Sequence, residues 1–205
     1  MSYTDPRTKN LIPEAKSPKD YLLRYAETIQ QNLAKVEEEK LQKILDLLQK
    51  CIEENRRVYV GGNGGSAAIA DHLLCDWVKG VALPKEKNLK VQSLLGSPAL
   101  FTAIGNDYGY EHTLSYPLEI YGERGDLLVL ISSSGNSPNI AKAIEIAKAK
   151  GISVIGLSGF DGGILHKLAD VSIHIPIHNY GMVEDCHQSI MHVLAQYLFR
   201  LRSAK

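Results

Sequence analysis

At 205 residues and 44% hydrophobic, the chain can bury one good core, so one domain with appended helices is expected. Its 23 basic residues balance its 23 acidic ones, which excludes the electrostatic footprint of a nucleic-acid binder. No apolar run approaches the roughly 18 residues of a membrane span, and the opening MSYTDPRTKN lacks a signal-peptide core. Cys51, Cys75 and Cys186 are widely spaced, which fits a reducing cytoplasm better than a disulfide framework.

Residues 1–17 are polar, with Pro6 and Pro13, and read as an arm without its own core; residues 18–205 read as a single domain. Ser17 followed by Pro18 signals a helix start, after which Leu22, Leu23, Tyr25 and Ile29 recur at helical spacing. A second run, 37–54, sets Leu41, Ile44, Leu45, Leu48 and Ile52 on one stripe, widened by Leu47 and Cys51. The two are expected to form a helical hairpin over 18–55 that serves subunit association. The α/β core follows over 56–205. Strand-like runs at Val58–Val60, Val91–Leu95, Leu127–Ile131, Val154–Leu157 and Val171–Ile175 alternate with helical patterns at Ala67–Val78, Pro98–Ile104, Pro138–Lys150, Ile164–Ala169 and Val183–Leu201. That alternation predicts a parallel sheet covered on both faces, with a ligand outside the carboxyl ends of its strands.

Two stretches sit at such ends. In VYVGGNGGSAAIADHLLCD (58–76) an apolar strand runs into glycines and a serine, then directly into a helix. Free amides, a hydroxyl and a helix N-terminus at one spot bind an anion, most often a phosphate. DLLVLISSSGNSPN (126–139) repeats the logic with four serines and a glycine, although Ser137 before Pro138 also suits a plain N-cap. Gly62 to Ala67 fits G-x-G-x-x-A, but the second strand ends without the acid a dinucleotide ribose needs. No Walker lysine and no G-x-S-x-G occur.

His72 and Asp76 lie four apart on one helical face, and the last helix carries Glu184, Asp185, His187 and His192. Two imidazoles and two carboxylates suit a divalent metal or an acid/base pair. Surface and first-turn roles remain the alternative for each, and His187 equally reads as a core histidine.

GGNGGSAAIADH, AIGNDYGYE, ISSSGNSPN, GLSGFDGG and the final E-D-x-H-x-x-x-x-H stand in an order that resembles the sugar isomerase (SIS) superfamily, and within it the phosphoheptose isomerases. The likeness runs over roughly residues 20 to 200. It implies a three-layer α/β sandwich around a five-stranded parallel sheet, with N-terminal helices, assembled as a homotetramer with active sites at subunit interfaces. It also implies that Asn63, Gly64, Gly65, Ser66, Ser132, Ser133, Ser134 and Ser137 hold a sugar phosphate, and that Asn106 and Asp107 touch the open-chain sugar. Zinc would fall on His72, Asp76, Glu184 and His192, with Asp76 or Glu184 as catalytic base and His192 as acid. The chain departs from the family pattern at Asp76, where glutamate is usual, at Glu184, where glutamine is usual, and at Met182, where arginine is usual. The implied reaction is aldose–ketose isomerisation of sedoheptulose 7-phosphate through an enediol, in the cytoplasm, supplying heptose for lipopolysaccharide or capsule. The alternatives are a non-catalytic scaffold, like the replication-initiator-associating SIS proteins, and an isomerase of another phosphosugar. Neither nucleic acid nor membrane is an expected partner.

Overall fold

In the computed structural model, the structure describes Ile12 and residues 14–204; the expected arm at 1–17 lies mostly outside them. The described elements are α1 (Pro18–Leu33), α2 (Glu38–Glu53), β1 (Arg57–Gly62), α3 (Gly65–Cys75), β2 (Lys90–Ser93), α4 (Pro98–Asp107), α5 (Ser115–Tyr121), β3 (Leu127–Ser132), α6 (Pro138–Lys150), β4 (Ser153–Gly159), α7 (Gly163–Leu168), β5 (Val171–Ile175) and α8 (Tyr180–Ser203). A π-helical turn, Asp76–Gly80, extends α3, and a 3₁₀ turn spans Tyr110–His112.

The five strands pair in parallel in the order β2-β1-β3-β4-β5. Side chains alternate across them with period two. Val58, Val60, Val129, Ile131, Ile155 and Leu157 face a layer built by α2, α3 and α8. Tyr59, Leu128, Leu130 and Val154 face α5, α6 and α7. Burial on both sides explains why β3 reads as an unbroken apolar run, LLVLI. This is the three-layer sandwich the sequence implied.

The strand order reverses between β1 and β3, which are neighbours with Gly62 opposite Ile131. A crevice opens at the carboxyl ends of strands at such a switch point, because their connections leave to opposite faces. Both glycine/serine loops emerge there.

The N-terminal helices differ from expectation. The first helix does start where the sequence places it, with Ser17 Oγ accepting from the Asp20 amide at 3.1 Å. It does not form a hairpin with α2 as its main packing. Its chief neighbour is α8, against which the Tyr25 hydroxyl donates to Asp185 at 2.7 Å. No residue of α1 is buried, and Leu22 and Leu23 are each 57% exposed. No helix among the described residues is long and apolar enough to cross a membrane.

His187 proves to be the core histidine. It is fully buried; its Nε2 lies 3.2 Å from the Ser158 carbonyl and its Nδ1 has no partner among the described residues. Burial pushes its pKa down from 6.5 to about 4, so it is held neutral. The unfolded chain therefore takes up this proton first. The contribution to stability is complete above pH 6.5 and is lost as the pH falls toward about 4. Thermal melts of wild type and His187→Gln at pH 7 and pH 4.5 are expected to show a smaller acid-induced fall in the variant. An equal fall in both would contradict a neutral buried imidazole.

Candidate active site

The first loop is shaped by close backbone approach. A Cβ added at Gly62 would stand 2.8 Å from the Ile131 carbonyl oxygen and from the backbone of Ser66, so only glycine fits between β3 and the start of α3. Gly64, at φ 55°, turns the chain into α3, whose first turn has no side-chain cap and leaves its amides directed at the crevice. Asn63 is fixed from outside the loop. It exchanges a reciprocal pair of 2.8 Å side-chain hydrogen bonds with Asn139 and accepts a third at 2.7 Å from the Tyr110 hydroxyl. Asn139 itself is fully buried in the first turn of α6 and also donates to Thr113 at 3.2 Å.

The second loop is braced from β4 and α7. The Gly159 amide donates to the Ser133 carbonyl at 3.0 Å, the Leu165 amide to the Gly135 carbonyl at 3.0 Å, and the Ile164 amide to Asn136 Oδ1 at 3.0 Å. That is the structural role of the GLSGFDGG stretch. Ser132 Oγ accepts from the Gly135 amide at 3.1 Å. Ser133 Oγ is buried and has no hydrogen-bond partner among the described residues. A buried, unpaired hydroxyl beside a cavity is what an anion-binding wall offers. The α6 N-terminus adds its dipole, since the Ser137 side chain makes no cap bond.

Together the loops line one cavity of about 310 Å³. Its wall is Asn63, Gly64, Gly65 and Ser66 from β1–α3, Ser132, Ser133, Ser134 and Ser137 from β3–α6, and Tyr180 and Glu184 from α8. All eight residues read as phosphate ligands are there, and no lysine or arginine is. A larger hollow of about 840 Å³ lies between α2 and the end of α8. Its Arg202 and Lys87 already donate to backbone carbonyls, of Val81 and Lys87 and of Glu53 respectively, so it offers no comparable anion site.

A second cluster lies further along the same two helices. His72 Nε2 is 3.6 Å from Asp76 Oδ1, His192 Nδ1 is 2.8 Å from Asp76 Oδ2, and the two imidazoles meet edge to face at 4.9 Å. One donor atom from each of the three residues lies within 4.8 Å of the others. Asp76 opens the π turn, a device that redirects a side chain at the end of a helix and recurs at functional sites. The Gln188 amide lies 2.9 Å from His192 Nε2. This network assigns His192 as the Nδ1–H tautomer donating to Asp76 and accepting from Gln188.

Glu184 is not in this cluster. It lies eight residues, about 12 Å along α8, before His192, and its carboxylate is packed on Gly65 at the start of α3. A Cβ at Gly65 would meet Glu184 Oε2 at 2.3 Å. Burial, then the charge of Asp185, raises its pKa. Of the four expected ligands, His72, Asp76 and His192 come together, while Glu184 lies apart from them against Gly65, in the wall of the cavity. Asn106 and Asp107 are exposed, bonded to each other at 2.7 Å, and outside the cavity wall. Sequence reasoning missed Asn139, Thr113, Tyr110, Gln188 and Tyr180. Gln188 carried a signal in its i, i+4 spacing to His192, and Tyr110 and Asn139 lie within two of the stretches that carry the resemblance, AIGNDYGYE and ISSSGNSPN.

Comparison with known proteins agrees with this geometry. The SIS domain model matches residues 21–159, and a second SIS domain model matches 118–201. The phosphoheptose isomerase of Fusobacterium nucleatum is 32% identical over 94% of this chain and 95% of its own length. That of Geotalea daltonii is 36% identical over 92% and 95%. Among solved structures, a phosphoheptose isomerase from Francisella tularensis superposes with a TM-score of 0.81 at 27% identity, covering 90% of this chain and 99% of that one. The phosphoheptose isomerase of Neisseria gonorrhoeae gives 0.80 at 29%, covering 88% and 97%. The chain belongs to the SIS-domain family and, within it, to the phosphoheptose isomerases.

Proposed function

We propose that this SIS-family enzyme converts sedoheptulose 7-phosphate to a glycero-manno-heptose 7-phosphate through an enediol. The observation that carries the reading is the placement of two different chemistries on one helix face. Gly65, His72 and Asp76 are seven and four residues apart, so they share one face of α3 and its continuation. The cradle and the cluster are separated by about 10 Å along that face. That span suits an open-chain sugar held by its terminal phosphate, with its carbonyl carbons at the far end.

The cradle grips the ester through main-chain amides, serine hydroxyls and two helix N-termini. This remote binding orients the reacting carbons, so part of the barrier is met by positioning. Asp76, bonded to His192, is the base that takes the proton from C1. His192 supplies a proton on the enediol oxygens, and the proton returns at C2 to give the aldose. Gln188 holds the His192 ring in the tautomer this requires. Glu184, at the phosphate end, is left out of the proton transfer.

Two imidazoles and a carboxylate with room for further ligands form a donor set that fits zinc or a similar divalent ion. His72, Asp76 and His192 would hold it, and it would supply Lewis-acid polarisation of the carbonyl. We also place the protein in the cytoplasm as a homotetramer, whose subunit contacts would cover the exposed apolar residues of α1 and α8, among them Leu22, Leu23, Val193 and Tyr197. Light scattering at four times the 22.6 kDa chain mass is the test of that assembly.

With zinc supplied, turnover is expected for sedoheptulose 7-phosphate, falling at least tenfold on chelation and returning on re-addition. In a panel with ketohexose and ketopentose phosphates, the seven-carbon ketose should give the highest kcat/KM. Binding of all three without turnover would instead favour the scaffold reading, and a faster shorter ketose would reassign the substrate.

A further inference from the structure

Asn63 stands in the cradle wall, and the orientation of its carboxamide decides whether it attracts or repels an anion. A side-chain amide has two N–H donors at one end and an oxygen with two lone pairs at the other. A half-turn about the Cβ–Cγ bond exchanges them with almost no change in shape. Hydrogen bonding behind the cradle settles the choice. The Thr113 hydroxyl has one proton, which it donates to the Tyr110 carbonyl at 2.8 Å. Toward the fully buried Asn139, Thr113 can therefore only accept, so the atom 3.2 Å from its Oγ1 must be the Asn139 nitrogen. That nitrogen also donates to Asn63 Oδ1, and the Asn139 oxygen accepts from Asn63 Nδ2, both at 2.8 Å. The Tyr110 hydroxyl then donates to the second lone pair of Asn63 Oδ1 at 2.7 Å. Among the described residues, these bonds occupy the Asn63 oxygen and leave one Asn63 N–H free.

We propose that Thr113 is a positioning residue that acts through Asn139 to lock Asn63 as a hydrogen-bond donor toward the phosphoester. This rests on the phosphosugar reading of the cradle and deepens it. Thr113 is fully buried and lies outside the cavity wall, so its effect on a ligand is indirect. Without its hydroxyl, the Asn63–Asn139 pair could reverse together and keep both mutual bonds. The Tyr110 hydroxyl would not prevent this, because it accepts from a nitrogen as readily as it donates to an oxygen. The reversed Asn63 would turn its oxygen toward the ester. In a wall without lysine or arginine, no cation would mask that repulsion.

Calorimetric titration of the full chain with inorganic phosphate, together with the KM for sedoheptulose 7-phosphate, tests this in wild type, Thr113→Val, Thr113→Ala and Thr113→Ser. The Val and Ala variants are expected to raise the phosphate Kd and the KM at least fivefold with kcat within twofold of wild type. Ser keeps the orienting hydroxyl and should stay within twofold throughout. Tyr110→Phe, which removes a bond of the same network without freeing the orientation, should raise KM by less than either. Thermal melts establish that each variant is folded, and using both Val and Ala guards against a failure of one of them. In an Asn63→Ala background, Thr113→Val should change KM by less than twofold, since the residue it acts through is gone. Unchanged affinity in the folded Val and Ala variants, an undiminished effect in the Asn63→Ala background, or a loss confined to kcat would each overturn the proposal. A wild type that binds neither phosphate nor sedoheptulose 7-phosphate would instead remove the phosphosugar reading, and this inference with it.

Discussion

Asp76→Asn is expected to lower kcat for sedoheptulose 7-phosphate by about 10³-fold while changing KM by less than about threefold, because a positioned base contributes roughly 10²–10⁴ to such a proton transfer. The split follows from the geometry. Asp76 touches His72 and His192 and lies outside the phosphate wall, so its loss removes chemistry and leaves the grip on the ester. Its side chain is partly exposed, and the amide is isosteric, so a large folding penalty is not expected. Steady-state kinetics together with direct titration of the substrate check both halves. A matching rise in KM would mean that Asp76 binds substrate, and an unchanged kcat would move the base elsewhere.

The second large effect concerns the frame of the cradle. Gly135 has φ 66°, and a Cβ placed on it would stand 2.0 Å from the Gly162 carbonyl oxygen, a backbone atom held by its own loop. Gly135→Ala therefore combines a left-handed backbone, costing about 1–2 kcal/mol for a non-glycine residue, with an overlap that forces the two loops apart, costing about 1–3 kcal/mol more. For a chain of this length that corresponds to a fall in Tm of about 5–15 °C. Phosphate binding should be lost with it, since Ser133 and Ser134 flank the displaced residue. Gly64→Ala is the comparison. Gly64 also has a positive φ, 55°, with a ψ of −124° that an L residue avoids, but a Cβ there meets nothing within 4 Å, so its penalty is local and the second loop stays in place. Differential scanning calorimetry of both variants with titration of phosphate checks this. A Gly135→Ala protein as stable as wild type would show that the loop contact is not rigid.

The contrast between these two glycines shows where sequence reasoning reaches and where it stops. Both could be marked as loop glycines from the pattern alone. Only the fold shows that one faces solvent and the other presses on a loop 27 residues away. The same division holds across the chain. The helix Pro138–Lys150 matches its expected bounds because local chemistry fixes both ends, with Pro138 at the first position and Gly151 at φ 71° closing the last turn. The strand Val171–Ile175 also matches, bounded by Asp170 and Pro176. By contrast, α5 went unread because Pro117 and the flanking tyrosines in SYPLEIY hide its short helical stripe. The packing of α1 on α8 could not be read either. An amphipathic stripe says that a partner exists and leaves its identity open.

The site divides in the same way. Phosphate chemistry is written in contiguous residues, because amides, hydroxyls and a helix start must follow one another along the chain to make a cradle, and those eight positions converge as read. The support behind them is long-range. Asn63 is held by residues 47 and 76 positions away, Tyr110 and Asn139, and although both lie in stretches that carry the resemblance, nothing local says that they meet Asn63. Glu184 shows the limit most clearly. Helical spacing brings it to the same side as His192, but spacing along one helix cannot tell which neighbour a long side chain leans on. Packing of the α8 start against Gly65 decides that, and it decides for the cradle.

Conversion of sedoheptulose 7-phosphate in deuterium oxide, followed by proton NMR, reads out the proton transfer itself. The expected product is a heptose 7-phosphate carrying deuterium at C2, because the proton removed from C1 exchanges with solvent on the partly exposed Asp76–His192 pair before it is returned. Product formed with only the original hydrogen at C2, or no product while the ketose remains bound, would contradict it.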